Sequence, residues 1–128
     1  MRLRLTLAAV AAGGLTVAVI PAAAHHATPT RTPVAHAAVA HTIRFGEYFY
    51  RPKKLTVRAG DSVRFVNIGR IEHTVADSSK RGSIRSRLIK PRPLKRGASQ
   101  TVTFRRRGTV YYLCTFHPAL MRGAIVVR

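Results

Sequence analysis

The sequence predicts an all-β domain, a Greek-key sandwich or barrel, preceded by a signal peptide and a flexible linker. From His41 onward, short segments rich in β-branched and aromatic residues alternate with Gly, Pro and Asp turn residues. No window in this part of the chain carries a convincing 3.6-residue period. Six or seven such segments fit a Greek-key sandwich in the roughly 88 residues that remain.

The first 24 residues have the pattern of a secretory signal peptide. Arg2 and Arg4 give a basic start, residues 5–20 form an uncharged run, and residues 21–24 supply the small residues of a cleavage site. The run has 16 residues, whereas a transmembrane helix needs about 20. We therefore expect a cleaved, exported protein, secreted or periplasmic, with an uncleaved membrane anchor as the alternative.

Residues 25–40 are predicted to be a flexible linker, and the folded domain is placed at residues 41–128. The linker consists mostly of Ala, Thr, Pro and His without large apolar residues or periodicity. A group of histidines extends through it to the start of the domain: His25, His26, His36 and His41. These histidines could bind a metal ion of their own, or they could have no specific role.

Each predicted strand follows a turn signal and ends at another. The third strand, for example, follows Ala59-Gly60-Asp61, and its alternation places Val63 and Phe65 inward and Arg64 outward. The predicted strands are, in order, residues 42–45, 54–57, 62–67, 101–104, 110–114 and 123–127.

The charge predicts anionic partners. The chain has 23 Lys and Arg against 4 Asp and Glu, and loss of residues 1–24 would lower its net charge from +19 to +17 by removing Arg2 and Arg4. Residues 78–99 contain eight basic residues and no acid, and Arg105 to Arg107 add three more. This basic loop is either a solvated connection or a docking surface for an anionic envelope polymer or lipid. Export argues against nucleic acid.

A cluster of metal-ligating residue types lies near the C-terminus. The chain has one cysteine, which excludes an internal disulfide, and Cys114, His117 and Met121 fall within eight residues. His73, after the predicted strand 62–67, could join them if the sandwich brings the two ends together. A thiolate and two imidazoles with a weak thioether suit copper cycling between its two oxidation states.

At these residues the chain resembles the cupredoxins, the small blue copper proteins, and most closely the amicyanin and plastocyanin types. The resemblance covers about residues 42–128. Its motifs are Gly60-Asp61-Ser62-Val63, Glu72-His73-Thr74-Val75, Gly108-Thr109-Val110-Tyr111-Tyr112 and the Cys-Thr-Phe-His-Pro loop that runs from Cys114 to Met121-Arg122-Gly123. It implies one type 1 copper site, with His73, Cys114 and His117 as equatorial ligands and Met121 as the axial ligand.

Two positions depart from the family pattern. Three residues separate His117 from Met121, whereas amicyanin-like loops have two and plastocyanin-like loops four. Thr74 stands where many relatives carry Asn, at a position that helps to tie the two ligand loops together. We expect a hydroxyl to make this connection less rigidly.

The leading functional hypothesis is a one-electron carrier that is monomeric and is not an enzyme. The four acids form no evident catalytic pair, and the cysteine is assigned to the metal. Electrons would pass through the edge of His117, within an apolar docking patch of residues 116 and 118–120, to an acidic redox partner. The alternative is an extracytoplasmic module for copper capture, delivery or resistance. A third hypothesis is an adhesion-like protein that binds an anionic envelope polymer through the basic loop.

Overall fold

The structure is a computed structural model that describes residues 8–14 and 35–128. Residues 8–14 are exposed and contain no helix or strand. Most of the predicted signal peptide and linker, including His25 and His26, lies outside the described residues, so these assignments remain predictions. Within the two described ranges, no helix is long and apolar enough to cross a membrane.

Eight strands form the domain between residues 35 and 128. Six correspond to predicted strands, with ends shifted by up to two residues, and two strands of three residues each were not predicted because they are too short to show alternation. The strands are β1 (Ala40–Gly46), β2 (Phe49–Arg51), β3 (Lys54–Val57), β4 (Ser62–Asn67), β5 (Ala76–Ser78), β6 (Ser99–Thr103), β7 (Gly108–Leu113) and β8 (Arg122–Val127).

The strands form two four-stranded sheets with the orders β2-β1-β4-β6 and β3-β8-β7-β5. The pairs β1–β4 and β3–β8 are parallel, and the remaining pairs are antiparallel. The all-β sandwich prediction is confirmed.

The core lies between the two sheets. Ile43 and Phe65 from the first sheet and Tyr112 and Ile125 from the second are fully or almost fully buried. The rings of Phe65 and Tyr112 meet edge to face with their centroids 5.2 Å apart. Because aromatic pairs of this kind add to the free energy of apolar burial, they fix the spacing of the sheets on which the site is built.

The sandwich has two ends that matter for function. The ligand pole is formed by residues 46–48, 67–74 and 114–121, and the distal pole by residues 58–61 and 104–108. At the distal pole, the backbone N–H of Gly60 donates to Phe104 O at 2.8 Å. Strand β7 joins the two poles, and its six residues separate them by about 20 Å at about 3.3 Å per residue.

The chain enters the domain at the distal pole. Both carboxylate oxygens of Asp61 are engaged there, by His36 Nε2 at 2.9 Å and by His41 Nε2 at 3.0 Å. The backbone N–H groups of Val39 and Arg58 also donate to this carboxylate. The C-terminal end of the predicted linker is therefore held against the sandwich.

The basic loop is anchored at its centre. Asp77 Oδ1 accepts hydrogen bonds from the backbone N–H groups of Leu88 at 2.9 Å and Ile89 at 2.7 Å. Ile89 and Leu94 are buried in the core, and Leu94 pairs with His73 across an isolated bridge. The loop therefore also braces the segment that carries His73.

Candidate metal centre

Three metal-ligating side chains meet at the ligand pole. One ligand atom from each of His73, Cys114 and His117 lies within 4.8 Å of the other two. Cys114 Sγ is 3.8 Å from His73 Nδ1 and 3.8 Å from His117 Nδ1. His73 lies 41 residues before Cys114 and His117 three residues after it, so a distant and a local part of the chain meet at the same sulfur.

His73 is fixed by a short, cross-linked segment after β4. Its backbone N–H donates to Leu94 O at 3.3 Å, and its carbonyl accepts from Leu94 N at 2.8 Å. Asn67, at the end of β4, donates from Nδ2 to Ile71 O and to Leu94 O. The imidazole is fully buried, so its position is set before any metal binds.

Cys114 and His117 lie on a tight loop that ends at Met121. The Cys114 carbonyl accepts from His117 N at 3.2 Å, and the His117 carbonyl accepts from Leu120 N and Met121 N. The loop closes where Cys114 N donates to Met121 O at 3.0 Å. The three residues between His117 and Met121 form a single turn, and Met121 is fully buried beside the site.

Thr74 joins the two ligand segments. Its backbone N–H lies 3.4 Å from Cys114 Sγ, and its hydroxyl lies 3.7 Å from the same sulfur. The hydroxyl also accepts from Thr115 N at 2.7 Å and shares a hydrogen bond with Thr115 Oγ1 at 2.8 Å. The threonine therefore makes the connection for which many relatives use Asn, through two hydrogen bonds to Thr115.

The turn after β1 packs against the site from the other side. Glu47 Oε1 accepts from the backbone N–H groups of Arg70 and Ile71, and it lies 3.8 Å from His73 Nε2. The hydrogen bond from Ile71 holds the pKa of Glu47 below its usual value. The ring of Tyr48 meets that of His117 edge to face, with centroids 4.8 Å apart.

The donors fit a copper ion. Burial, followed by the neighbouring His117, lowers the pKa of His73, and a neutral imidazole is the form that binds a metal. His73 Nε2 is buried without a hydrogen bond in the part of the chain that the structure describes, and its Nδ1 faces the sulfur. Two nitrogens and one sulfur, with a buried methionine adjacent, are the donor set of blue copper sites.

The site is closed on the core side and reaches the surface through His117. His73 and Cys114 are fully buried, whereas His117 is half-buried. Exposed apolar side chains surround His117: Tyr48 is 49% exposed, Phe116 51% and Leu120 64%. Ile71 is also exposed. We call these four residues, Tyr48, Ile71, Phe116 and Leu120, the apolar patch.

Comparisons with known proteins agree with this geometry. Residues 37–128 match the family model of copper-binding proteins of the plastocyanin/azurin family. The chain belongs to this family. Copper is thus the cofactor of this cupredoxin, and His73, Cys114, His117 and Met121 are positioned as a type 1 copper site.

Two amicyanins are similar in sequence. Amicyanin of Paracoccus denitrificans is 32% identical over 103 residues, which cover 78% of this chain and 76% of the relative. Amicyanin of Paracoccus versutus is 30% identical over 79 residues, which cover 62% of this chain and 58% of the relative.

Solved structures show the same fold. A purple cupredoxin from Nitrosopumilus maritimus aligns with a TM-score of 0.65 and 25% identity, and the match covers 69% of this chain and 99% of the neighbour. A variant of amicyanin in its reduced state aligns with a TM-score of 0.60 and 31% identity over 75% of this chain and 87% of that one.

Sequence reasoning missed the contribution of the turn after β1. Glu47 and Tyr48 lie 25 or more positions before His73 and in no recognisable motif. Glu47 is one of only four acidic residues in a strongly basic chain, and that rarity was a signal that it has a defined partner. Nothing in the sequence marks Tyr48.

Proposed function

We propose that His73, Cys114, His117 and Met121 bind a single copper ion and that the protein is a one-electron carrier. Bound copper supplies a one-electron redox couple between its two oxidation states. The observation that carries the proposal is the convergence of one ligand atom each of His73, Cys114 and His117 within 4.8 Å, with Nδ1 of both histidines 3.8 Å from Cys114 Sγ. The chain itself holds these donors in place, excludes water from the site and exposes the edge of the His117 imidazole to a redox partner.

The donors are held by hydrogen bonds that do not depend on a metal. The Leu94 bridge fixes the backbone of His73, the Thr74–Thr115 pair fixes the loop around Cys114, and the turn between His117 and Met121 fixes the remaining two. A rigid ligand set needs little rearrangement when the charge of the site changes. This preorganisation supports rapid gain and loss of an electron.

The apolar patch is the proposed docking surface for a redox partner. His117 is the donor side chain that is not fully buried, and Tyr48, Phe116 and Leu120 of the patch lie next to it. Contact over this patch would remove water around His117 and bring the partner close to the imidazole. The high positive charge of the chain favours an acidic partner, because opposite charges speed encounter and make the rate fall with added salt.

We propose that the protein is not an enzyme. Three of the four acids have structural hydrogen bonds. Glu47 accepts from the segment before His73, Asp61 binds the histidines at the start of the domain, and Asp77 anchors the basic loop. Glu72 is half-exposed, 3.9 Å from Lys95. The proposal therefore assigns none of the four acids a role in acid–base catalysis.

An extracytoplasmic location is part of the proposal and is supported by the N-terminal sequence pattern. The copper-capture alternative depends on the linker histidines. His36 and His41 hydrogen-bond to Asp61, which gives these two a structural role and leaves His25 and His26 as the remaining candidates for that alternative.

The ligand assignment is tested by replacing Cys114 with Ser. The C114S chain is expected to bind copper without a blue colour and to keep the far-UV circular dichroism of the wild type, because the side chain changes by one atom. A Met121→Leu variant is the matched control: it is expected to stay blue, since the thioether is the weak ligand. A blue C114S protein would refute the assignment.

The carrier role is tested by the rate of electron transfer to an acidic redox protein over a range of salt concentrations. The rate is expected to fall steeply as salt rises. A rate that does not respond to salt would exclude an acidic partner, and a copper-loaded protein that exchanges no electrons would exclude the carrier role.

A further inference from the structure

The distal pole carries a concentrated positive charge at the end of the sandwich opposite to the candidate metal centre. Arg105, Arg106 and Arg107 are all exposed in the turn before β7, and they line a groove of about 510 Å³. Arg87, from the basic loop, lines the same groove. This surface is about 20 Å from Cys114, along the length of β7, so it does not overlap the apolar patch.

No side-chain carboxylate within residues 35–128 neutralises this charge. Of the four acids in the chain, Asp61 is the one at the distal pole, and its side chain is 3% exposed and fully engaged with His36 and His41. Asp77 is buried under the basic loop. These four exposed arginines form no salt bridge with a side-chain carboxylate among the described residues, so they are available to the phosphate oxygens of an anionic partner.

The groove also offers apolar contact. Phe104 and Val110 contribute to its wall, and Leu88, 45% exposed, lies at its edge next to Arg87. An exposed aliphatic side chain among basic residues is typical of surfaces that lie in a membrane interface, where the aliphatic group enters the acyl region and the basic groups meet the headgroups.

Residues 35–39, the first described residues of the domain, lie at the distal pole next to Asp61. In the sequence they follow the apolar run of residues 5–20, which is predicted to enter a membrane during export or to stay there as an anchor.

We propose that the distal pole binds the headgroups of an anionic phospholipid membrane. Arg87 and Arg105 to Arg107 contact the phosphates, and Leu88, which lines the same groove, enters the interface. This orientation holds the ligand pole away from the membrane, where the apolar patch is open to a redox partner. The membrane surface and the partner would then use opposite ends of the same sandwich.

Amide hydrogen exchange of the full chain mixed with lipid vesicles tests the proposal. Vesicles of equal parts phosphatidylglycerol and phosphatidylcholine are compared with vesicles of phosphatidylcholine alone, so that any insertion of the N-terminal segment is common to both. The expected result is slower exchange in residues 84–88 and 105–109 with the anionic vesicles only. Residues 116–120 at the ligand pole serve as the internal reference and should not change.

A charge variant and a matched control locate the effect. R105Q/R106Q/R107Q should raise the anionic lipid concentration for half-maximal protection about a hundredfold, because each basic residue at an anionic membrane contributes about fivefold. K53Q/R70Q/R96Q removes the same charge from exposed positions nearer the ligand pole and should change that concentration much less. The circular dichroism of both variants establishes that they fold.

Three results would overturn the proposal. Equal protection by neutral and anionic vesicles would exclude headgroup recognition. An equal rise in the lipid concentration for half-maximal protection in both variants would show that net charge, and not the distal pole, accounts for binding. If lipids give no protection while polyglutamate protects residues 105–109, the distal pole is a docking site for an acidic protein instead. None of these measurements depends on copper, so they do not bear on the proposed function.

Discussion

Replacement of Thr74 by Val tests the hydroxyl that links the two ligand segments. The side chains have nearly the same shape, so the variant removes a polar group without opening a cavity. It leaves the backbone N–H of Thr115 without its acceptor at 2.7 Å and breaks the 2.8 Å hydrogen bond between the two hydroxyls. The weak contact of the hydroxyl with Cys114 Sγ at 3.7 Å is lost as well. The backbone N–H of Thr74, 3.4 Å from Cys114 Sγ, is unchanged.

The expected loss of stability follows from these two hydrogen bonds. Removing the acceptor of a partly buried amide N–H lowers the free energy of unfolding by about 1 to 2 kcal/mol. Loss of the hydrogen bond between the hydroxyls lowers it by only about 0.5 kcal/mol more, because the Thr115 hydroxyl can turn to water. We therefore expect T74V to lower the free energy of unfolding by about 2 kcal/mol. With the denaturant dependence of a domain of this size, the urea midpoint should fall by about 1 M.

The assay is urea unfolding of the metal-free protein, followed by far-UV circular dichroism, so that copper affinity does not enter the comparison. T74S keeps the hydroxyl and should lose less than half as much stability as T74V. T115V breaks only the hydroxyl pair and should fall between the wild type and T74V. The reasoning would be wrong if T74V were within about 0.3 kcal/mol of the wild type or if T74S were as unstable as T74V.

Three further predictions concern other parts of the domain. The hydrogen bond from Arg58 N, with those from Val39 and the histidines, holds the pKa of Asp61 well below its usual range. The stability that the Asp61 carboxylate contributes is therefore present above about pH 4 and is lost as the pH falls below that value. In urea unfolding, D61N should be less stable than the wild type at pH 7, and the difference in the free energy of unfolding should shrink below pH 4. A Cβ at Gly123 would overlap the ring of buried Tyr112, so G123A should lower the melting temperature and destabilise the fold by about 1 to 3 kcal/mol. L120S, at a 64% exposed position, should leave stability within about 0.5 kcal/mol of the wild type while slowing electron transfer to a redox partner; an unchanged rate would place the docking surface elsewhere.

The sequence predicted the long strands because they alternate cleanly. In β4, Val63 and Phe65 are buried and Arg64 is exposed, as a period of two requires. Strands β2 and β5 have three residues each, which is too short for a period to be visible. Their existence depends on pairing with β1 and β7, and a three-residue segment does not show in its own sequence which strand it will pair with.

The proximity of the candidate ligands was predictable to a similar degree and for a different reason. Cys114, His117 and Met121 are close in sequence, so a loop brings them together whatever the topology. His73 could be added because β4 ends beside the Cys114 loop in a Greek-key sandwich. The contacts of Glu47 and Tyr48 arise from the packing of a turn against that loop, and no local pattern encodes such an approach.

Thr74 shows where an expectation from the family needed the structure. The sequence indicated that a hydroxyl would tie the ligand loops less rigidly than Asn. In the structure the hydroxyl accepts from one backbone N–H and pairs with the Thr115 side chain. The connection thus depends on Thr115, a residue whose role appears only when the two segments are placed side by side.

The most direct test of the central claim is the visible spectrum of the full chain during titration with Cu(II), together with the copper content of the product. The account predicts an intense blue thiolate-to-copper charge-transfer band that saturates at one copper per chain, because one sulfur and two imidazole nitrogens converge at a single site. Colourless binding, or a band that fails to saturate at one equivalent, would contradict a type 1 site formed by His73, Cys114, His117 and Met121.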